Sequence, residues 1–301
     1  MNIPIAPNNT SAYETTRSVA PQATATLASM ELDTFVCSSG DTYSQTLHWT
    51  SADTDIATVN SSTGAVTGVS YGVTTITGTK IISGTTYSVS YKMVVSALPV
   101  SGYELEYEPE KWNPRPELYD DDYRTTIKAN TNCYLYAFNI QLEPNGNTNT
   151  ISSRSRNPGE YADNTKQYQD ILVQLCKDNN VVEFISYVQR DAQKLGFEIQ
   201  SIGRIDVCPV GHYKVALAFG GANGYHWYRQ NSDGIWSHKF GIGAPVYNVD
   251  STYTAIIQDP TSAAKTYDGG SLVYQIVGYY SVTPVNWMYE LTEEELELIE
   301  D

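Results

Sequence analysis

Residues 130–139 read Asn-Thr-Asn-Cys-Tyr-Leu-Tyr-Ala-Phe-Asn, and this stretch sets our prediction for the fold of the second half of the chain. Asn132 is a favourable N-cap, because its short side chain can accept hydrogen bonds from the unpaired backbone N–H groups of the turn that follows. The apolar positions after it recur at helical spacing: Tyr134, Ala137 and Phe138. The sequence therefore predicts a helix that begins at Cys133.

The position of Cys133 indicates a nucleophilic thiol. In the first turn of a helix, unpaired N–H groups and the positive end of the helix dipole favour the thiolate over the thiol. The alternative interpretation is that Cys133 is a small apolar core residue, since free cysteine is among the most buried residue types. A histidine farther along the chain favours the first interpretation.

The composition excludes several classes of protein. The chain has 301 residues, of which 41% are hydrophobic, and this content is typical of folded domains. With 18 Lys and Arg against 34 Asp and Glu, its net charge is -16, so phosphate backbones and anionic lipid surfaces would repel it. No apolar run reaches about 18 residues, so we expect no membrane-spanning helix. We expect neither nucleic acid nor lipid as the main partner.

The spacing of metal-binding residue types predicts no metal site. The 4 cysteines, Cys37, Cys133, Cys176 and Cys208, form no Cys-x-x-Cys pair, and no His-Glu-x-x-His sequence occurs. The acidic run 120–122 lacks the alternating ligands and the glycine of a calcium loop, so we interpret it as a solvated loop. The sequence thus predicts neither a metal nor a cofactor. Cys176 and Cys208 are expected to be core thiols or to form a disulfide.

Changes in composition divide the chain into segments. We predict a flexible N-terminus over residues 1–22, an all-β domain over 23–97, a proline-rich acidic linker over 98–128, an α+β domain over 129–286 and an acidic tail over 287–301. No basic segment followed by an apolar core is visible as a signal peptide. A chain rich in Tyr and Thr and poor in Lys is nevertheless common among secreted bacterial proteins, so we expect an extracellular or cell-surface location.

Short alternating runs separated by turn signals predict a β-sandwich in residues 23–97. Four segments resemble the bacterial Ig-like group 2 family in their order and spacing: Trp49-Thr50-Ser51, Ile56-Ala57-Thr58-Val59, Thr63-Gly64-Ala65-Val66-Thr67-Gly68 and Gly72-Val73-Thr74-Thr75-Ile76-Thr77. The resemblance implies an immunoglobulin-like sandwich that acts as a spacer or adhesion module and carries no catalytic residues. Cys37 and His48 would then be structural.

Two amphipathic helices and then a series of strands follow the helix of Cys133. Apolar residues at helical spacing predict helices over residues 168–176 and 182–195, and Gly196 is the natural C-cap of the second. Alternating residues then predict strands, with His226 on the central strand of a three-stranded antiparallel meander. The final long strand, residues 272–282, is predicted to close this sheet. His212 falls in a turn, where a structural role is expected.

The order of a Cys-bearing helix, further helices and a His-bearing strand resembles that of papain-like cysteine hydrolases. Asn132-Cys133-Tyr134 and Gly224-Tyr225-His226-Trp227 resemble the NlpC/P60 or amidase branch of that superfamily. The resemblance implies a papain-like α+β domain that cleaves peptide or amide bonds. In such an enzyme the Cys133 thiolate attacks the carbonyl carbon, and His226 takes the thiol proton and returns it to the leaving group.

A hydrolase of this kind needs supporting groups, and several residues are candidates. Asp250, Asn248 or His238 would orient the imidazole. Counting back from the turn at residues 232–233 places Lys239 opposite His226. The side chain of His238 is then nearby, and we leave open whether it points to the same face of the sheet as His226. The backbone N–H of the cysteine, with the side chain of Asn130 or Asn132, would bind the oxyanion.

A non-enzymatic interpretation remains open beside the hydrolase. A histidine flanked by Tyr225, Trp227 and Tyr228 is also compatible with an aromatic strand residue that makes one structural hydrogen bond. The chain would then be a surface adhesion or phage structural protein, and the aromatic strands of residues 225–236 would stack on glycan. The expected partners are accordingly a peptide, a cell-wall or surface glycan, or another surface protein. Alkylation of Cys133 distinguishes the two interpretations, since only a thiolate reacts quickly.

Overall fold

The structure is a computed structural model of the chain. It describes residues 47–82, 84–100, 103–107, 131–140, 156–163, 167–241, 244–267 and 272–285, together with the backbone of short strands before residue 47. Within these residues, no helix is both long enough and apolar enough to cross a bilayer.

The first part of the chain contains strands only. They are β1 (Pro4–Ile5), β2 (Thr16–Val19), β3 (Thr24–Thr26), β4 (Thr34–Cys37), β5 (Thr42–Ser44), β6 (His48–Ser51), β7 (Ala57–Val59), β8 (Ala65–Gly68), β9 (Gly72–Ile82) and β10 (Thr85–Val95). The strands predicted around Trp49, Ala57, Val66 and Ile76 are confirmed, each with a slightly different end.

Two of the sheets pack face to face, as the Ig-like resemblance implies. One has the order β2-β10-β9-β6 and the other the order β3-β8-β7. Trp49, Ile76 and Met93 of the first sheet meet Ala57 and Val66 of the second in a common core. A third sheet has the order β1-β4-β5. Alternation along each strand places apolar side chains inside, which is why the pattern was readable in the sequence.

The second half begins with helices and continues with strands. The helices are α1 (Cys133–Ala137), α2 (Gln169–Lys177) and α3 (Val181–Leu195), and a 3-10 turn follows at Gly221–Asn223. The strands are β11 (Ile199–Ile202), β12 (Tyr213–Phe219), β13 (Tyr225–Gln230), β14 (Trp236–Lys239), β15 (Val246–Tyr247), β16 (Thr266–Tyr267), β17 (Leu272–Val273) and β18 (Gln275–Val282).

A six-stranded sheet of order β11-β18-β12-β13-β14-β15 organises the second half, and each of its pairings is antiparallel. The predicted meander β12-β13-β14 is confirmed. The last long strand does not close the sheet at an edge, because β18 lies between β11 and β12. The three helices cover one face, with Phe138, Phe184 and Trp227 in the shared core.

The opposite face of this sheet is covered by loops and by the end of the preceding segment. Its core contains Leu98, Tyr228, Trp236, Ile257 and Tyr274. The predicted linker, where described, therefore packs against the second half: Lys214 is fully buried, and its ammonium donates to the carbonyl of Pro99 at 3.4 Å.

The prediction of a papain-like α+β second domain is wrong. The described residues of this half contain three helices beside eight strands, so this part of the chain is rich in sheet. The helical periodicity of residues 168–195 was interpreted correctly. The order of elements along a chain, however, does not decide how they pack, and the second face of the sheet is closed by loops.

Asp191, which the sequence analysis did not single out, holds the helical layer together. Its carboxylate accepts hydrogen bonds from the backbone N–H groups of Gly159, Tyr161 and Ala162 at 2.7, 3.0 and 2.9 Å, and from the hydroxyl of Tyr134 at 3.0 Å. Helices α1 and α3 and the turn at 157–162 are thus joined through one side chain. Burial raises the pKa of Asp191 to about 6, although these hydrogen bonds act to lower it.

Candidate functional site

Helix α1 begins at Cys133 with Asn132 as its N-cap, as predicted. The Asn132 side-chain oxygen accepts from the backbone N–H groups of Tyr134 and Leu135 at 3.1 and 3.0 Å. Its amide nitrogen donates to the carbonyl of Arg156 at 3.1 Å. Both ends of this amide are therefore used in capping and in local structure. Asn130, the other oxyanion candidate, lies outside the described residues.

The Cys133 thiol is a core group. The residue is 7% exposed and belongs to the cluster beneath the helices. Burial raises the pKa of the thiol to about 12, although the backbone N–H groups of Trp227 and Tyr134 and the charge of Lys239 act to lower it. Desolvation thus outweighs the helix terminus that favoured the thiolate in the sequence analysis.

His226 and His238 form a buried hydrogen-bonded pair. The His226 Nε2 and His238 Nδ1 atoms are 2.9 Å apart, and His238 Nε2 lies 3.1 Å from the carbonyl oxygen of Val249. A carbonyl oxygen can only accept, so we assign the His238 proton to Nε2, which leaves its Nδ1 to accept from His226. Rings of Tyr228 and Phe240 lie against His226, each with its centroid 4.9 Å away.

Both imidazoles are held in the neutral form. Burial lowers the pKa of His238 to about 4, although the hydrogen bond to Val249 acts to raise it. Burial, together with the neighbouring His238, places the pKa of His226 well below its ordinary value. The pair therefore behaves as a neutral hydrogen-bonded unit inside the protein at physiological pH.

The structure does not bring Cys133 and His226 together. Side chains alternate between the two faces of a strand, and on β13 Trp227 points to the helical face with Cys133. His226 points to the other face, where it contacts His238 and Tyr274. The sheet thus lies between the thiol and the imidazole, and no proton can pass directly from one to the other.

Of the three candidates for orienting His226, His238 contacts it, whereas Asp250 and Asn248 have other roles. The Asp250 carboxylate accepts from the backbone N–H of Thr252 at 2.9 Å and of Ala264 at 3.3 Å. Burial acts to raise the pKa of Asp250, but these hydrogen bonds and that of the Thr252 hydroxyl outweigh it, so the pKa is lowered. The backbone carbonyl of Asn248 accepts from Ile257 at 2.9 Å. Asp250 therefore shapes the loop after β15.

The structure places the charged side chain of Lys239 near Cys133, whereas the sequence predicted that it would lie opposite His226. It is fully buried, and its ammonium donates to the carbonyl of Ala244. Burial lowers its pKa to about 8. The register explains the difference: Tyr228 pairs with His238, so His226 faces Phe240, and Lys239 points to the helical face.

The aromatic strands predicted to stack on glycan are inside the protein. Trp227, Tyr228 and Trp236 are fully buried, each contributing to the core on one face of the sheet or the other. A ligand outside the protein cannot reach these rings. The glycan-stacking role that the sequence analysis gave to them is therefore not supported by their positions.

The described cysteines and acidic residues form neither a disulfide nor a cluster of metal ligands. Cys176 and Cys208 are both free and buried, so the alternative of a disulfide between them is wrong and that of core thiols is confirmed. Burial raises the pKa of each to about 12. Among the described residues, no group of three or more His, Cys, Asp and Glu side chains could hold a metal ion.

Comparison with known proteins gives two similarities. Residues 15–90 match the family model of the bacterial Ig-like domain (group 2). "Insoluble matrix shell protein 1" of Ruditapes philippinarum is 28% identical to the chain over 178 residues, which are 59% of this chain and 90% of that protein. This second match is more than twice as long as the first and so includes residues outside the Ig-like region. Residues 15–90 of the chain are therefore a bacterial Ig-like domain of group 2.

Proposed function

We propose that the chain is a non-enzymatic extracellular or surface protein that binds insoluble matrix polymer through its second half. The similarity to an insoluble matrix protein, which extends beyond the Ig-like domain, is the observation that carries this proposal. The Ig-like domain would act as a spacer, because such sandwiches present neighbouring domains at a distance from a surface. The location rests on the same two similarities.

The geometry of the second half agrees better with binding than with hydrolysis. A cysteine hydrolase requires a thiolate with an imidazole within hydrogen-bond reach, about 3 Å. Here the Cys133 thiol is buried with a pKa of about 12, and the His226 ring lies on the other face of the sheet. A sheet packed on both faces is, by contrast, a suitable scaffold for presenting a surface to a polymer.

Co-sedimentation with insoluble polymer tests this proposal. The full-length chain is mixed with suspended chitin, cellulose or bacterial wall sacculi, and the protein remaining in the supernatant is measured against concentration. We expect a saturable binding isotherm on at least one polymer that is insensitive to salt, because the net charge of -16 disfavours binding by charge attraction to anionic material.

A Cys133→Ala variant serves as the control for hydrolysis. We expect the variant and the wild type to sediment equally and to release no soluble fragments. Release of fragments by the wild type alone would contradict the proposal and restore the hydrolase. Failure of both proteins to bind any of the polymers would contradict it as well.

A further inference from the structure

A cleft opens beside the helical layer, away from Cys133 and the histidine pair. It lies between the end of helix α2, the turn after β12 and the beginning of β18, and its volume is about 450 Å³. We call it the α2–β18 cleft and define it by these residues: Cys176, Asn179, Phe219, Gly221, Gln275 and Val277. The volume is within the range of roughly 300–1,000 Å³ that is usual for ligand pockets.

The lining of the α2–β18 cleft contains no charged side chain. A cationic ligand would therefore find no carboxylate partner there. An anionic ligand would meet the field of a chain whose net charge is -16. Both observations favour a neutral ligand.

Two amides at the mouth of the cleft are available for hydrogen bonding. Asn179 and Gln275 are both exposed, and in the described part of the chain neither side chain has a hydrogen-bond partner. Asn179 follows helix α2 with a φ of 52°, a left-handed conformation that asparagine tolerates better than most residues. Each amide offers donors and an acceptor, which is the combination that a hydroxyl group needs.

The inner surface of the cleft combines apolar side chains with exposed polar groups. Phe219, Val277 and Cys176 contribute to it, and Gly221 adds backbone without a side chain. A Cβ atom built at Gly221 would have nothing within 4 Å, so the surface at this position is open. This apolar floor is small, since Phe219 is 5% and Cys176 4% exposed. A small apolar floor below a polar rim suits a sugar ring, which has C–H groups on its faces and hydroxyls at its edge.

A peptide fits the same cleft less well. Extended peptides usually bind by adding a strand to a free sheet edge, where unpaired backbone groups supply the hydrogen bonds. In the α2–β18 cleft the two strands are paired with each other, since Phe219 of β12 faces Gln275 of β18. Val273 is likewise paired with Thr266. The backbone groups used in these two pairings are therefore not available to a peptide.

We propose that the α2–β18 cleft binds a neutral sugar unit, with the apolar floor against the ring and the amides of Asn179 and Gln275 bonded to its hydroxyls. This inference rests on the proposed function and names the chemistry of the polymer that is bound. The proposed sugar site thus lies in an exposed cleft of the second half and not on the buried aromatic strands of the same half.

Titration calorimetry of the full-length chain with soluble tetrasaccharides of chitin and of cellulose tests the proposal. We expect binding of one of them with a dissociation constant on the order of 0.1–1 mM, which is usual for a small neutral ligand held by few contacts. Gln275→Glu keeps the shape of the side chain but replaces the donor by a charge, and we expect it to weaken binding about tenfold or more.

Gln200→Glu is the matched control, because Gln200 is an exposed glutamine on β11 of the same sheet, outside the cleft. We expect this variant to bind the sugar as the wild type does, and both variants to unfold at the same urea concentration as the wild type. Asn179→Asp provides a second position in the cleft. It keeps a residue type that tolerates the left-handed conformation, and we expect it to weaken binding in the same way.

The outcomes separate this inference from the proposed function. If the chain sediments with polymer but no tetrasaccharide binds, or if Gln275→Glu binds as well as Gln200→Glu, the cleft is not the site and the matrix role stands. If a tetrasaccharide binds through Gln275 but no polymer is sedimented, the cleft is supported and the matrix role is refuted. If neither binds, both are refuted.

Discussion

Acid should destabilise this protein through its buried histidine pair, and the substitution His238→Gln should remove much of that effect. The unfolded chain titrates His238 at its ordinary pKa of 6.5, whereas in the folded protein burial lowers the pKa to about 4. Above pH 6.5 neither state binds the proton, and the contribution of the neutral ring to stability is fully present. As the pH falls from 6.5 to 4, only the unfolded chain takes up the proton, and stability is lost.

The size of the effect follows from linkage. Each pH unit in this window lowers the free energy of unfolding by about 1.4 kcal/mol, which amounts to roughly 3 kcal/mol at pH 4 for His238 alone. His226 acts in the same direction, because its pKa is also lowered. Asp191 acts in the opposite direction: its pKa is raised to about 6, so its contribution is present below pH 3.8 and is lost as the pH rises through 6.

Urea unfolding of the wild type and of His238→Gln, followed by tryptophan fluorescence at pH values from 4 to 7.5, separates these contributions. A glutamine side chain can donate and accept hydrogen bonds, as the neutral imidazole does, but it does not titrate. We expect the stability of the wild type relative to the variant to fall by about 3 kcal/mol from pH 7.5 to pH 4. A difference that stays constant within about 0.5 kcal/mol over this range would refute the assignment of a buried neutral pair.

Further predictions address the thiol, the carboxylate of the helical layer and the contact between the two halves. The native Cys133 thiol should react with iodoacetamide at pH 7.5 about 1,000-fold more slowly than the same thiol in urea, because burial raises its pKa from 9.0 to about 12. Mass spectrometry measures the two rates, and equal rates would contradict this burial. Asp191→Asn should lower the free energy of unfolding, measured in urea, by about 2–4 kcal/mol, because the N–H groups of the new amide would face backbone N–H groups. A loss below about 0.5 kcal/mol would show that the carboxylate is dispensable. Gly234→Ala should lower the free energy of unfolding by about 1–3 kcal/mol more than Gly241→Ala in the same assay. Both glycines have a positive φ, but a Cβ at Gly234 would lie 2.4 Å from the Cβ of Ser96, whereas a Cβ at Gly241 would meet nothing within 4 Å. Equal losses would contradict this contact.

The parts of the fold that depend on local pattern could be predicted from the sequence. The cap at Asn132, the start of helix α1 at Cys133 and the C-cap at Gly196, which has a φ of 73°, involve residues next to one another in the chain. The Ig-like strands were also predictable, because alternating burial leaves an alternating sequence. These features follow from short-range sterics and hydrogen bonding.

The site could not be predicted, because it depends on a register and on desolvation. The turn between β13 and β14 extends from Asn231 to Ile235. The predicted strand register was off by one residue, and this error exchanged the faces of the sheet assigned to His238 and Lys239. The chemistry of Cys133 was misjudged for a second reason. The sequence indicates that Cys133 lies at a helix N-terminus, which favours the thiolate. It does not indicate which residues pack over the thiol, and the cost of burying the charge depends on those residues.

The sequence by itself determined the Ig-like strands, the helix boundaries and the strong negative charge, since each of these is a property of neighbouring residues or of composition. The tertiary structure alone decided which side chains share a face of the six-stranded sheet. It placed the thiol beneath the helices, the two histidines on the opposite face and the exposed amides of Asn179 and Gln275 at an open cleft. The physical reason is that strand order and packing bring together residues far apart in the chain, and local preferences do not encode those distances.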